Sequence, residues 1–429
     1  MNTRPVIETS QNPAALSASF NYDASCFAIG LDTGFRVFNS EGCQHRVTRD
    51  FNGGVGTAEM LGKTNYIALV GGGKQPKFAQ NKVIIWDDSK RKVAAQISVL
   101  TSVRGVRISR THIVVALLNS IRVYHFLSIP ELYQAYETAS NPYGLCCLGA
   151  STLLFPGRTA GQLQVVELNT GNVSIIPAHS GALRALALSR DEEVIATASE
   201  TGTLVRVFAR SNCAKIAELR RGVDHANIFS ISIAPSGQLL AVTSDKSTLH
   251  IFDIPHPSKP PQSESDPGHR RLTSLGGGGI NSPTTPDADT SHKWGILGKL
   301  PLMPRVFSDI YSFATATFST GEEPLSASSN PLTVNDAGPK PTKGVIGWTS
   351  DESIIVVGAG ADSRWERFII AEGEDDSLSV LMHICHGMAR SRDTIMIGVG
   401  WALSYMGGRC GLLRGAIGKS FQIAPSRYL

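Results

Sequence analysis

The 429-residue chain is poor in the features that would announce a stapled, membrane-spanning or catalytic protein. Its seven cysteines are scattered apart from the adjacent Cys146 and Cys147, and no C-x-x-C pairs with a second such element. Neither a zinc site nor a disulfide framework is expected, and a reducing compartment, cytosol or nucleus, is the expected home. No run reaches the roughly 18 apolar residues of a membrane span, and the opening "MNTRPVIETSQNPAAL" lacks the apolar core of a signal peptide. The protein is read as soluble, with peripheral membrane attachment left open. A formal charge of +4 is too small to imply a polyanionic partner by itself, so local clusters must decide. Gly-x-Ser-x-Gly, His-Glu-x-x-His, P-loop and Rossmann fingerprints are all missing, and the "GGGG" at 276–279 has no following Lys-Ser/Thr. No enzyme activity, metal, cofactor or nucleic-acid partner is expected.

What the chain has is a repeat. Two strands around a turn of Asp, Ser, Thr or Gly, then a third ending in an aromatic or apolar pair, first appear as "SFNYDASCFAIGLDTGFRVFN" (19–39). The unit recurs at 66–87, 103–126, 143–168, 183–208, 228–253 and 343–370. About seven units at a period of roughly 40 residues are the mark of a β-propeller with four strands per blade. Unbroken apolar runs such as Ala185, Leu186, Ala187 and Leu188 fit strands buried between blades. The expected fold is therefore an all-β, seven-bladed, WD40-like propeller over 15–372, preceded by a flexible N-terminus at 1–14.

Two segments interrupt this pattern. Residues 255–342 open with "PHPSKPPQSESDPGHRRLTSLGGGG", whose composition cannot bury enough apolar surface to order itself, so a disordered insertion in blade 6 is expected. Within it, 293–318 is greasy: Trp294, Ile296, Leu297, Leu300, Leu302 and Met303 lead to Val306, Phe307, Ile310, Tyr311 and Phe313, which fit one face of a short helix begun at Pro304. Lys293, Lys299 and Arg305 stand around these apolar residues, an arrangement suited to insertion into an anionic membrane surface. The second interruption is the end of the chain, where 373–429 lacks a blade pattern and reads as an atypical tail.

Functional residues concentrate in units five and six. Without gaps, "SETGTLVRVF" (199–208) and "SDKSTLHIFD" (244–253) set Ser199 beside Ser244, Thr201 beside Lys246, Thr203 beside Thr248 and Val205 beside His250. Arg206 then falls one residue past the place of His250, and His179 lies just upstream. Hydroxyls, imidazole and guanidinium are the donors a phosphate requires. Taken singly, the hydroxyl residues read as turn formers and the basic ones as edge charges. Between the clusters stands "ELRRGVDHANIF", and on an outer strand Arg220 and Arg221 would point to opposite faces. Each arginine can then serve its own pocket: Arg220 with His179, Ser199, Thr201, Thr203 and Arg206, and Arg221 with Ser244, Lys246, Thr248 and His250. Register decides which arginine goes where, and the sequence leaves it open.

Together, Leu219-Arg220-Arg221-Gly222 and its flanking clusters resemble the PROPPIN family, β-propellers that bind phosphoinositides, and most of all its fungal branch with Leu at the motif's first position. The similarity extends over about 15–372, and 292–314 is similar to the family's membrane-inserting loop of the sixth blade. The resemblance implies binding of phosphatidylinositol 3-phosphate and 3,5-bisphosphate through two sites, in autophagy and protein transport. It also implies a cytoplasmic protein, peripheral on vacuole, endosome and autophagic membranes, with the large autophagy lipid-transfer scaffold as a partner. Ser247 departs from the glycine usual in the second cluster, which matters if that turn needs a positive φ. A propeller that only binds proteins, with edge arginines, is the alternative reading.

Overall fold

The computed structural model describes residues 13–42, 44–259, 310–319, 343–360, 363–372 and 378–387, and every helix or strand among them is a strand. These form seven separate sheets, each built on four antiparallel strands numbered from the channel outward, as expected from the seven repeats. The first strands of the blades surround a central channel that holds the buried Glu59 and the partly exposed Arg107, 3.5 Å apart.

Between neighbouring blades, apolar side chains from facing sheets make one continuous core per crevice. Val205, Val207, Ala217 and Leu219 of blade 5 pack on Ile231, Leu240, Val242 and Phe252 of blade 6. Ile176, Ala178, Ile195 and Phe208 fill the crevice between blades 4 and 5. Both faces of a blade are buried in this way, which removes the polar/apolar alternation from the inner strands. The second strands Val194–Ser199 and Leu239–Ser244 are buried at every position.

Blade 7 meets blade 1 through Ala15, whose backbone exchanges hydrogen bonds of 3.1 and 2.9 Å with Gly360. Phe27, Ile29, Ile355 and Trp365 form the core of this junction. Arg190, from the first turn of blade 5, donates across the channel at 3.0 Å to the carbonyls of both Asp23 and Trp348.

Two expectations about the interruptions are corrected. Leu378–Gly387 is the fourth strand of blade 7, paired along Arg364–Glu372 from Arg364↔Gly387 to Glu372↔Leu378. The propeller therefore extends to residue 387, and 373–377 and 388–429 of the expected tail lie outside the described residues. "LSVLMHICHG" lacks the polar spacing of the other outer strands, which hid it in the sequence. The second correction concerns 310–317. Ile310–Tyr311 and Ala314–Thr317 are strands rather than part of a helix, the first paired in parallel with Leu219 and Arg220 and the second completing blade 6 beside Thr248–Asp253. "SFATATF" alternates with period 2, and that pattern wins over the helical spacing drawn from Pro304. The expected insertion 255–342 is thus interrupted by residues 310–319, and the expected N-terminal residues 1–12 and insertion residues 260–309 and 320–342 lie outside the described residues.

The turns that carry the candidate residues are built alike. Gly202 in blade 5 has φ +64° and its N–H donates to the Ser199 carbonyl at 3.0 Å; Ser247 in blade 6 has φ +57° and donates to the Ser244 carbonyl at 3.1 Å. The departure at Ser247 leaves the left-handed turn intact. The two positions differ in room, since a Cβ on Gly202 would come within 1.8 Å of the Ala226 carbonyl oxygen. The same exchange made in opposite directions should give unequal results. Gly202→Ser is expected to destabilise by about 2 kcal/mol or more, while Ser247→Gly stays within about 1 kcal/mol of wild type. Urea denaturation midpoints of the two variants provide the check.

Candidate functional site

The fourth strand of blade 5, Lys215–Arg220, sets the geometry. Its burial alternates, with Ala217 and Leu219 in the core shared with blade 6 and Glu218 and Arg220 half-buried on the other face. Arg220 lies opposite Leu204 in the ladder, on the face that carries Arg206 and Glu218 toward blade 4. One residue later, Arg221 continues the Leu219 face toward blade 6. Its backbone N–H donates to the Thr203 carbonyl at 3.0 Å, so the ladder persists past the named strand. The two arginines therefore separate onto two crevices.

On the blade 4 side, the His179 ring Nε2 lies 3.0 Å from the Thr197 hydroxyl and 3.2 Å from the Thr197 carbonyl. Arg206 donates from Nε to Glu218 at 2.8 Å and from Nη1 to the Ala178 carbonyl at 2.6 Å. A cavity of about 360 Å³ opens beside Arg206, between Ile176, Phe208 and Lys215. Burial and then the Arg206 charge push His179 down to about 4. Burial works against the Glu218 charge, yet Lys215 and Arg206 hold its carboxyl below the ordinary range.

On the blade 6 side, Arg221 is 8% exposed and held by two carbonyls, Gly202 at 2.7 Å from Nε and Asp224 at 2.5 Å from Nη2. Its Nη1 is left without a hydrogen-bond partner among the described residues. His250 is bracketed by hydroxyls, Thr248 at 3.1 Å from Nε2 and Ser312 at 3.2 Å from Nδ1. Burial and then the Arg221 charge push His250 down to about 4, so Arg221 and His250 share an environment. Lys246 is exposed on the turn above. Asp245, whose charge also acts on Arg221, accepts from the backbone N–H and side-chain amide of Asn227, at 3.1 and 3.0 Å.

Several residues stand differently from their sequence alignment. The ladders between second and third strands pair Thr197 with Arg206 and Val242 with His250, each at the fourth position of a second strand, so Arg206 occupies the place of His250 and not the next one. The blade 5 turn is one residue longer, and an ungapped alignment hides that. Ser199 and Ser244 are buried behind their turns, where Ser199 pairs with the exposed Thr201 at 2.8 Å and Ser244 Oγ accepts from the Lys246 N–H at 3.4 Å. Thr197, Glu218 and Ser312 belong to the two groups and were missed. A buried Thr in an apolar strand gives no signal of its own, and Ser312 is 62 residues from His250.

Of the residues expected to insert into a membrane, Trp294, Ile296, Leu297, Leu300, Leu302, Met303, Val306 and Phe307 lie outside the described residues. Phe313 packs on the core between blades 6 and 7 and is thereby removed from that role. Ile310 and Tyr311 are half-exposed on the edge of blade 5.

Residues 14–267 match the PROPPIN family model. The chain belongs to the PROPPIN family. This is a family of phosphoinositide-binding propellers linked to autophagy. The chain is 58% identical over 316 residues to the SVP1-like protein 2 of Emericella nidulans, covering 74% of this chain and 94% of that one. It is 47% identical over 412 residues to the SVP1-like protein 2 of Neurospora crassa, covering 87% and 94%. Among solved structures, Kluyveromyces lactis Hsv2 has the same fold, with a TM-score of 0.63 at 21% identity over 86% of this PROPPIN and 97% of that chain. A complex of KlAtg21 with the coiled-coil of AgAtg16 superposes with a TM-score of 0.55 at 18% identity, over 86% and 98%.

The depressed histidines give a pH dependence of definite sign. The unfolded chain takes up protons near pH 6.5 that the folded rings refuse until about 4, so stability falls as pH falls through that window. Thermal melts from pH 7 to 4.5 should show a smaller acid-induced drop in His179→Gln/His250→Gln than in wild type.

Proposed function

We propose that this PROPPIN is a peripheral membrane sensor of phosphatidylinositol 3-phosphate and 3,5-bisphosphate with one headgroup pocket on each side of blade 5's outer strand. His179, Thr201, Thr203, Arg206 and Arg220 serve the first pocket, with Ser199 supporting its turn. Arg221, Lys246, Thr248 and His250 serve the second, with Ser244 in the supporting role. The observation that carries the reading is the division of Arg220 and Arg221 between two crevices, each beside a hydroxyl-bearing turn of the same design. Guanidinium groups offer a phosphate charge-assisted hydrogen bonds, and neutral imidazoles accept a proton as an anion arrives.

Two headgroup pockets on one rigid body act through effective concentration, so modest single-site affinities combine into firm attachment. The apolar residues Trp294 to Phe307, flanked by Lys293, Lys299 and Arg305, add insertion beneath the headgroups, with about 1 kcal/mol per basic residue from an anionic surface. The protein is placed in the cytoplasm, on vacuole, endosome and autophagic membranes, as a binding module for autophagy and protein transport. Its protein contacts use other faces. Leu127, Ile129, Leu132 and Tyr133 stand exposed on and beside the outer strand of blade 3, a surface suited to a partner such as the autophagy lipid-transfer scaffold.

Flotation with phosphatidylcholine vesicles carrying phosphatidylinositol 3-phosphate tests the lipid reading. Arg220→Thr/Arg221→Thr is expected to lose about tenfold or more of the wild-type recovery, because both pockets lose their shared strand's charge. Equal recovery of the two proteins, or equal recovery on vesicles with unphosphorylated phosphatidylinositol, favours the scaffold that binds proteins alone.

A further inference from the structure

Blade 6 receives its fourth strand only after the loop. Ala314–Thr317 pairs with Thr248–Asp253 in the register Thr248↔Thr317, Leu249↔Ala316, His250↔Thr315 and Ile251↔Ala314. Residues directly opposite in an antiparallel pair share a face. Ala314 and Ile251 belong to the core with blade 7, whereas Phe252 belongs to the core with blade 5. Thr315 and Thr317 therefore lie with His250 and Thr248 on the side of the crevice that Arg221 enters.

Blade 5 shows what these positions do in a neighbouring copy of the same unit. Arg206 occupies the place of His250, and the residue opposite Arg206 is Glu218; two residues on, opposite Leu204, stands Arg220. Thr315 thus takes the place of Glu218, and Thr317 the place of Arg220. The outer strand of blade 6 offers hydroxyls where that of blade 5 offers a carboxylate and a guanidinium. Thr315 and Thr317 are exposed, and neither side chain has a hydrogen-bond partner among the described residues. Ser312, at the start of the same segment, is 3.2 Å from His250 Nδ1. The segment is locked in place by the Phe313 N–H on the Ile251 carbonyl and the Phe318 N–H on the Ser247 carbonyl, both at 3.0 Å.

We infer that Thr315 and Thr317 are phosphate-binding residues of the second pocket and that Ser312 positions His250 within it. The inference rests on the two-pocket reading above and extends it to a strand separated from the rest of the pocket by the whole loop. It makes the second pocket a hydroxyl-rich site with one guanidinium, one exposed ammonium and an imidazole, and the first pocket a site with two guanidinium groups. The second pocket is consequently the one that tolerates a less highly charged phosphate, because hydroxyls donate without adding charge.

Soluble inositol 1,3-bisphosphate is the probe, since it reports headgroup binding with no contribution from membrane insertion. Calorimetry is run on Arg220→Thr, in which only the second pocket keeps its arginine, with and without Thr315→Val/Thr317→Val. The valines keep the branched shape and remove both hydroxyls, and affinity is expected to fall about tenfold or more. Thr315→Ser/Thr317→Ser in the same background should restore it, which a packing role would not do. In Arg221→Thr, where the first pocket remains, the valine pair should leave affinity unchanged. Undiminished binding by the valine pair in Arg220→Thr overturns the inference while leaving the two-pocket reading standing. Failure of the wild type itself to bind the probe, or to distinguish it from inositol 1-phosphate, overturns that reading instead. Ser312→Ala is read separately through the His250 ring signals, whose pH titration should move relative to wild type if Nδ1 loses its partner, and stay in place if Ser312 has no positioning role.

Discussion

The period-2 alternation of one outer strand is the constraint on which the site depends. Lys215–Arg220 is bonded along one edge to Leu204–Ala209 and at its end, on the other edge, to Ile310–Tyr311. With Ala217 and Leu219 anchored in the blade 5–6 core, Glu218 and Arg220 have only the opposite face available. A slip of one residue would bury Glu218 and Arg220 in an apolar crevice, at a cost of several kcal/mol for each unpaired charge. Hydrophobic packing therefore fixes the register, and the register assigns each arginine to its crevice.

The electrostatics follow from that assignment. In each crevice burial, and after it the charge of a nearby guanidinium, keeps a histidine ring neutral in the absence of an anion. The arginines are themselves positioned by backbone carbonyls: Gly202 and Asp224 for Arg221, Ala178 for Arg206. These contacts fix the direction of the guanidinium groups before any ligand arrives, and a preorganised donor loses less entropy on binding than a free side chain does. The positive-φ turns at Gly202 and Ser247 are part of the same arrangement, since the Gly202 carbonyl is one of the two that hold Arg221.

Most of the fold could be read from the sequence because each blade repeats a local pattern with its turns intact. The seven units and the division of the arginine pair both rest on short-range periodicity, and both correspond to the ladders that form. The failures were non-local. Ala314–Thr317 completes a blade whose previous strand ended at Asp253, and no short window of sequence joins them. One extra residue in the blade 5 turn displaced the alignment of Arg206 with His250, because turn length is invisible without a register. Ser199 and Ser244 looked like ligands in the linear pattern, yet their depth behind the turn is a property of the assembled sheet.

Counting headgroups tests the central claim most directly. Isothermal titration of the full chain with soluble inositol 1,3-bisphosphate should give two bound molecules per protein, and one in each of Arg220→Thr and Arg221→Thr, as separate pockets with one strand-end arginine each require. A stoichiometry of one in the wild type, abolished by either substitution, would contradict the account, because it would mean that both arginines clasp a single phosphate group.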